Sequence, residues 1–471
     1  MKRRQIFTLF FTLSLSLLLC PQLVFANAVS IKLDSLLKRH GLTQDQVSIS
    51  FHKRTGLKTW EPFFEFNADK QMIPASLTKI VTALAVCEIY PKNYQFVTEL
   101  KSSAKVKTGV LDGDLYLVGA GDPTLVTERL WLLVHELKRL NIQKITGNLI
   151  FDNTVFDEVK FSPTRTTNDQ RAYSAPVSGL SLNWNALFIR VFGTEPGQKA
   201  RVYIDPPDAS IRLKNNAITG VRTNLLVDRV STPEHDSVVV TGSIKPGEEY
   251  GVYRSHTQPS RRAANQTMSL LNLYGVQVEG TIKQGQAPAA AQTLAKIESV
   301  SVDEINKMMM KFSNNFIAEM LTKKMDELAN QKQGTLLGGL KIVEKVAKDF
   351  TGKSFVLKNP SGLTTENKMS SAFFTDILTK ATSKSEYNAE FLATFPRSGI
   401  DGTLKKRFVK IPGKVRAKTG LLNGVVGLAG YIESNNGHEY AFSLIYNGPN
   451  KQRGRATDMF DLLTEMFVTQ Y

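Results

Sequence analysis

The chain is poor in the residues on which most hydrolases rely. Two cysteines and six histidines occur in 471 residues. The histidines, at 40, 52, 135, 235, 256 and 438, are scattered, and His-Glu-x-x-His, Cys-x-x-Cys and Gly-x-Ser-x-Gly are all absent. A Ser-His-Asp site and a metal site therefore have no support, and no cofactor is expected. Asp122, after Gly119-Ala120-Gly121, makes a glycine-rich turn rather than a phosphate loop. No long basic block or nucleic-acid motif is present, which argues against a nucleic-acid partner. Beyond the N-terminus no segment is apolar enough to span a bilayer, so no transmembrane anchor is expected.

What is present begins with a leader. Lys2, Arg3 and Arg4 precede the apolar run Ile6–Leu19, Pro21 breaks it, and Ala26 and Ala28 offer small-residue cleavage positions. This is the pattern of a cleaved secretory signal over residues 1–28. The run of 14 residues is mixed with Thr and Ser, and a membrane span needs about 20. Leu19 is too large for lipoprotein cleavage before Cys20. Loss of the leader then leaves Cys87 alone, which excludes an intrachain disulfide. Its apolar helical setting, with Val81, Leu84, Val86 and Ile89, marks a buried structural thiol. Net charge is +16, falling to +13 when Lys2, Arg3 and Arg4 are removed. Such a surface suits anionic wall polymers as readily as it simply favours solubility.

The organisation is mixed. Ile31–His40 has a helical pattern and Val47–Phe51 alternates as a strand. A strongly apolar helical pattern starts at Ser76, with Pro74 just ahead of it. From about residue 100 the texture changes to short strands and turns with one helix at about 127–140, and residues 200–253 are turn-rich and β-like. Helical periodicity returns at 263–274, and 285–292 reads as a linker. Helices dominate again from Val302, followed by strands at 415–419, 426–433 and 439–446 and a last helix at 458–468. These features predict an α/β domain made of both chain ends, 29–95 plus 293–471, interrupted by a β-rich insertion at 96–292 with an inner part at roughly 200–253.

Three short motifs carry the chemistry, though each is weak alone. Ser-x-x-Lys occurs four times, Ser-x-Asn three times and Lys-Thr-Gly twice. Context selects among them. Ser35 lies within a helical pattern, Ser50 within a strand, and Ser102 in a polar segment with no apolar helix after it. Only Ser76 opens an apolar helix, where the helix dipole favours a nucleophile and Lys79 shares its face. A lysine buried there should have a lowered pKa and serve as base. Ser313-Asn314-Asn315 falls between helical stretches, where a loop projects a hydroxyl and an amide. Lys418-Thr419-Gly420 follows a strand and pairs a cation with a hydroxyl, and Gly420 permits close approach of substrate. The other copy, at Lys107, reads as a turn.

In these motifs, and in Pro74-Ala75-Ser76-Leu77-Thr78-Lys79, Gly119-Ala120-Gly121-Asp122-Pro123-Thr124-Leu125, Tyr173-Ser174-Ala175-Pro176 and Gly399-Ile400-Asp401-Gly402-Thr403-Leu404, the chain resembles the class C low-molecular-mass penicillin-binding proteins. These are exported D-alanyl-D-alanine carboxypeptidase/endopeptidases. The gap of 237 positions from Ser76 to Ser313 resembles the large insertion of that family, folded as two extra domains. The resemblance implies a penicillin-binding/β-lactamase-like transpeptidase domain, an antiparallel sheet flanked by helices, acting in the periplasm on peptidoglycan peptide stems. It further implies Ser76 as nucleophile, Lys79 as base, Ser313 as proton relay and Asn315 as holder of the acyl side chain. Lys418 and Thr419 would bind the carboxylate, and the backbone N–H groups of Ser76 and Leu421 would form the oxyanion hole. β-Lactams would be inhibitors.

Two departures from the family pattern stand out. Leu421 replaces the usual hydroxyl residue, and Thr365 replaces an arginine expected where relatives read a diaminopimelate side chain. Asp169 and Tyr173 match the acid and aromatic of that subsite, and Asn423 keeps its amide. A β-lactamase and a silent wall-binding or penicillin-sensing protein are the alternatives. The oligomeric state is not legible.

Overall fold

The computed structural model describes residues 21–164, 169–208, 210–232, 235–384 and 388–471. The leader residues 1–20 lie outside this range. The chain divides into two compact units. One contains the residues up to Leu77, Lys368–Asn388 and Pro396–Tyr471, and the other Thr78–Asn367 and Ala389–Phe395.

The first unit is built on a five-stranded antiparallel sheet, in the order Trp60–Phe66, Val47–Arg54, Glu439–Asn447, Val425–Glu433, Val415–Leu422. Alternation along Val47–Arg54 sends Val47, Ile49 and Phe51 to one face and Ser48 and Ser50 to the other. The apolar face packs on the helices Pro21–His40 and Arg453–Gln470 in one core, with the Phe51 ring stacked 3.7 Å from Phe467. Fully burying each such side chain is worth about 1.5–3 kcal/mol. The serine face meets helix Ser371–Ser383, where Ser48 lies 2.6 Å from Ser371 and Ser50 2.9 Å from Thr375, hydroxyl to hydroxyl. The helix expected at Ile31–His40 begins earlier, at Pro21.

In the second unit the buried helix Thr78–Ile89 packs against Val302–Lys311, Asn315–Asn330 and Leu336–Thr351. Ser301, Asn314 and Thr335 cap these three helices through side-chain oxygens that accept backbone N–H groups. The segment between Thr78–Ile89 and Val302–Lys311 carries two separate cores. The outer one gathers Leu100, Leu117, Leu133, Phe151 and Leu271, from a five-stranded mixed sheet and the helices Thr127–Arg139 and Pro259–Leu273. The inner one gathers Leu187, Ile189, Val191, Val238, Val240 and Ile244, from strands between Ala186 and Ser255. Lys107-Thr108-Gly109 forms the hairpin turn between Val106–Lys107 and Val110–Leu111, with φ +45° at Thr108 and +80° at Gly109. Among the described residues no helix is long and apolar enough to cross a membrane.

Candidate active site

Ser76 sits on a single 3₁₀ turn, Ala75–Leu77, that runs directly into helix Thr78–Ile89. Ala75 holds φ +48°, a conformation an L-residue adopts only at a cost of about 1 kcal/mol, so the turn must be held from outside. Two devices in the first unit hold it. Asn447, the last residue of strand Glu439–Asn447, accepts the Ile73 N–H at 2.7 Å and donates to the Ile73 carbonyl at 3.0 Å. The turn also packs on strand Val415–Leu422, where Gly420 pairs with Gly427 of the neighbouring strand. A methyl group on Gly420 would lie 2.8 Å from the Pro74 oxygen, and one on Gly427 would lie 2.8 Å from the Leu77 side chain. The paired glycines are the hollow in which the Ser76 turn is seated.

The same strand carries Lys418, fully buried, with Nζ donating to the Thr419 carbonyl at 2.7 Å. Burial lowers its pKa to about 7, because a charge taken out of water is disfavoured. Thr419 donates through Oγ1 to Thr403 Oγ1 at 2.9 Å, which gives the Gly402-Thr403-Leu404 turn a place beside the motif. Leu421 is 55% exposed and Asn423 is exposed as well.

The second unit brings together the other predicted residues. Lys79 is fully buried, and its Nζ donates to Asn315 Oδ1 and to the Ser361 carbonyl, each at 2.6 Å. Asn315 is the first residue of its helix and donates through Nδ2 to the Tyr173 carbonyl at 3.1 Å. Asp169 accepts the Arg171 N–H at 3.0 Å and the Ser174 hydroxyl at 2.8 Å, closing the loop that carries Tyr173. Ser313 stands between two helices with φ +55°, and the capping role in this segment falls to Asn314. Thr365 is exposed, four residues after Ser361. Cys87 has its thiol pushed up to about 12 by burial, with Asp303, Glu390 and Glu88 adding to the shift, which is inert rather than nucleophilic chemistry. Among the described residues no three His, Cys, Asp or Glu side chains group to hold a metal ion.

Sequence reasoning does not single out Ser361, Asn447 or Thr403 as individual residues. Ser361 contributes a main-chain carbonyl, which has no residue signature, and Asn447 resembles any polar residue at a strand end.

The fold is shared with crystallised penicillin-binding protein 4 of Haemophilus influenzae, with TM-score 0.78 and 23% identity over 92% of this chain and 99% of that one. The sequence is 32% identical to a D-alanyl-D-alanine carboxypeptidase of Actinomadura over 83% of this chain and 76% of that protein. It is 28% identical to D-alanyl-D-alanine carboxypeptidase DacB of H. influenzae over 82% of each. The model of the D-Ala-D-Ala carboxypeptidase 3 (S13) family matches residues 29–466, and the chain belongs to that family. It is thus a serine-type D-Ala-D-Ala carboxypeptidase.

Proposed function

We propose that the protein is exported to the periplasm after loss of residues 1–28 and cleaves peptidoglycan stems through an acyl-enzyme on Ser76. It acts as a D-alanyl-D-alanine carboxypeptidase and as a DD-endopeptidase on cross-links. Lys79 takes the Ser76 Oγ proton, and Oγ attacks the carbonyl carbon of the penultimate D-Ala. The backbone N–H groups of Ser76 and Leu421 stabilise the oxyanion as preorganised donors. Collapse breaks the C–N bond while Ser313 relays a proton to the leaving amine, either free D-Ala or the cross-linked strand. Water then attacks the ester with Lys79 again as base, releasing the acyl carboxylate and Ser76.

Asn315 holds the acyl side chain, Lys418 and Thr419 bind the terminal carboxylate, and Gly420 lets the substrate backbone approach. Asp169, Tyr173 and Asn423 contribute to reading the stem's third side chain, and residues 96–292 form an insertion into the peptidase domain. A β-lactam mimics the D-Ala-D-Ala end, acylates Ser76 and is trapped.

One observation carries this reading. A fully buried lysine three residues after a serine on a strained turn has its amine held by two acceptors. It is thereby oriented and kept from bulk water. The test is digestion of purified muropeptides by wild type and Ser76→Ala, followed by mass spectrometry. Free D-Ala from pentapeptides and monomers from dimers are expected with wild type alone. Activity that survives in Ser76→Ala would sink the mechanism, and rapid nitrocefin turnover would favour a β-lactamase.

A further inference from the structure

The amine of Lys79 depends on an acceptor that itself needs support. The Ser361 carbonyl belongs to an irregular stretch that is buried from Asn359 to Gly362, so no helix or sheet ladder sets its direction. Side chains do so instead. Asn367 Oδ1 accepts the N–H groups of Lys358 and Asn359 at 2.7 and 3.1 Å, and its Nδ2 donates to the Asn359 carbonyl and to Thr78 Oγ1 at 2.8 and 3.1 Å. Thr82 donates to the Pro360 carbonyl at 2.7 Å. Asn359 Oδ1 accepts both the N–H and the hydroxyl of Ser361, at 2.8 and 2.6 Å.

This turn ends on one carboxylate. Glu319 Oε1 accepts from Asn359 Nδ2 at 3.3 Å and lies 3.3 Å from Ser361 Oγ, whose single proton it shares with Asn359 Oδ1, and Glu319 is fully buried. It lies one helical turn after Asn315, on the same face of helix Asn315–Asn330. A single helix face therefore supplies both supports of the Lys79 amine, Asn315 by direct contact and Glu319 through the Asn359–Ser361 turn. Buried polar oxygens are costly unless hydrogen-bonded, and the donors on Glu319 Oε1 belong to the turn behind Lys79. The reaction proposed above creates a buried cation within one intervening residue of that carboxylate.

We propose that Glu319 is the positioning residue for Lys79: it locks the turn that presents the Ser361 carbonyl and provides the counter-charge when Lys79 becomes an ammonium. The proton passes from Ser76 Oγ to Lys79 Nζ, and no bond to Glu319 forms or breaks. The proposal rests on Lys79 being the base.

The test uses the full mature chain and a fluorescent penicillin in stopped flow, which separates the dissociation constant of the non-covalent complex from the acylation rate constant. Glu319→Gln is expected to lower the acylation constant about 10- to 100-fold, the scale for a misplaced catalytic group, with the dissociation constant unchanged. Glu319→Asp should recover part of the loss, because it restores the charge. Ser361→Ala keeps the main-chain carbonyl but removes one tie to Glu319, and should lower the same constant several-fold. A wild-type acylation constant in Glu319→Gln, or a defect confined to the dissociation constant, overturns the proposal. Should Glu319→Gln fail to fold, an unchanged acylation constant in Ser361→Ala overturns it. Lys79→Met separates the two readings. Normal acylation in that variant removes the base assignment itself, whereas loss there with an unaffected Glu319→Gln removes only the role of Glu319.

Discussion

Lys418, proposed above as the cation that binds the substrate carboxylate, is completely buried, and the conflict has a measurable consequence. Its folded-state pKa is lowered to about 7, while the unfolded chain keeps that proton up to about pH 10.4. Between these values the unfolded state binds more protons, so stability rises with pH; below the folded pKa both states are protonated and the slope vanishes. Wild type should gain on the order of 2–3 kcal/mol from this group between pH 6 and 9. Urea denaturation should show that rise missing in Lys418→Met. In the free enzyme the cation fades as pH climbs through about 7, so KM for a D-Ala-terminated peptide should rise on that limb. Leu421, half-exposed on the same strand, invites a gain-of-function test. Leu421→Thr places a hydroxyl near the substrate carboxylate and should raise kcat/KM for D-Ala release by up to about tenfold, the worth of one charge-assisted hydrogen bond. At this scale the motif residues were legible as candidates, because the chemistry they offer depends on residue type and local order. Ser361 was not, since any residue can offer a carbonyl.

Among the elements, the strand Val415–Leu422 does more than carry Lys-Thr-Gly. Its Gly420 and the partner Gly427 leave space that Leu77 fills. Gly420→Ala places a methyl 2.8 Å from the Pro74 carbonyl oxygen, at the start of the turn that carries Ser76. Relief of that overlap should cost about 1–3 kcal/mol and move Ser76. Penicillin acylation should fall at least tenfold, while a thermal melt shows only a moderate loss. Asn447→Ala removes both clamps on Ile73, and the same assay should register a loss in acylation without loss of the sheet. From the sequence, Gly420 reads as room for substrate; the structure adds that it makes room for the turn that carries Ser76. The pairing of 420 with 427 was not legible, because cross-strand register is decided by which strands meet.

For the whole molecule, the inner of the two cores carried between Thr78–Ile89 and Val302–Lys311 is the most separable part. Ala186 and Ser255 are direct cross-strand partners, so the chain enters and leaves that core at points about 5 Å apart. Replacing the residues between them by a short glycine link should leave a folded protein that still takes up fluorescent penicillin. The excision removes Asp208, whose carboxylate accepts from Arg262 Nε at 2.7 Å in an almost wholly buried pair. An orphaned buried charge costs about 3–5 kcal/mol, so Arg262→Met in the same variant should recover most of the lost melting temperature. Gln170 also loses its contacts to Asp228 and Arg229. The loop from Asp169 to Tyr173 should loosen, and the preference among muropeptides should change.

The amino-acid order alone determined the three motifs, a serine acyl-transfer chemistry and an α/β domain assembled from both ends of the chain. Through the family those motifs resemble, it implied the antiparallel sheet and the D-Ala-D-Ala specificity. The first set follows from residue chemistry, hydrophobic period and the long gap between Ser76 and Ser313, all of which are local or countable. Only the tertiary structure decided what holds those residues in place. Asn447 grips Ile73, paired glycines lie under Leu77, and a buried Glu319 stands behind the carbonyl that holds Lys79. Each of these joins positions far apart in the chain, and packing alone selects them.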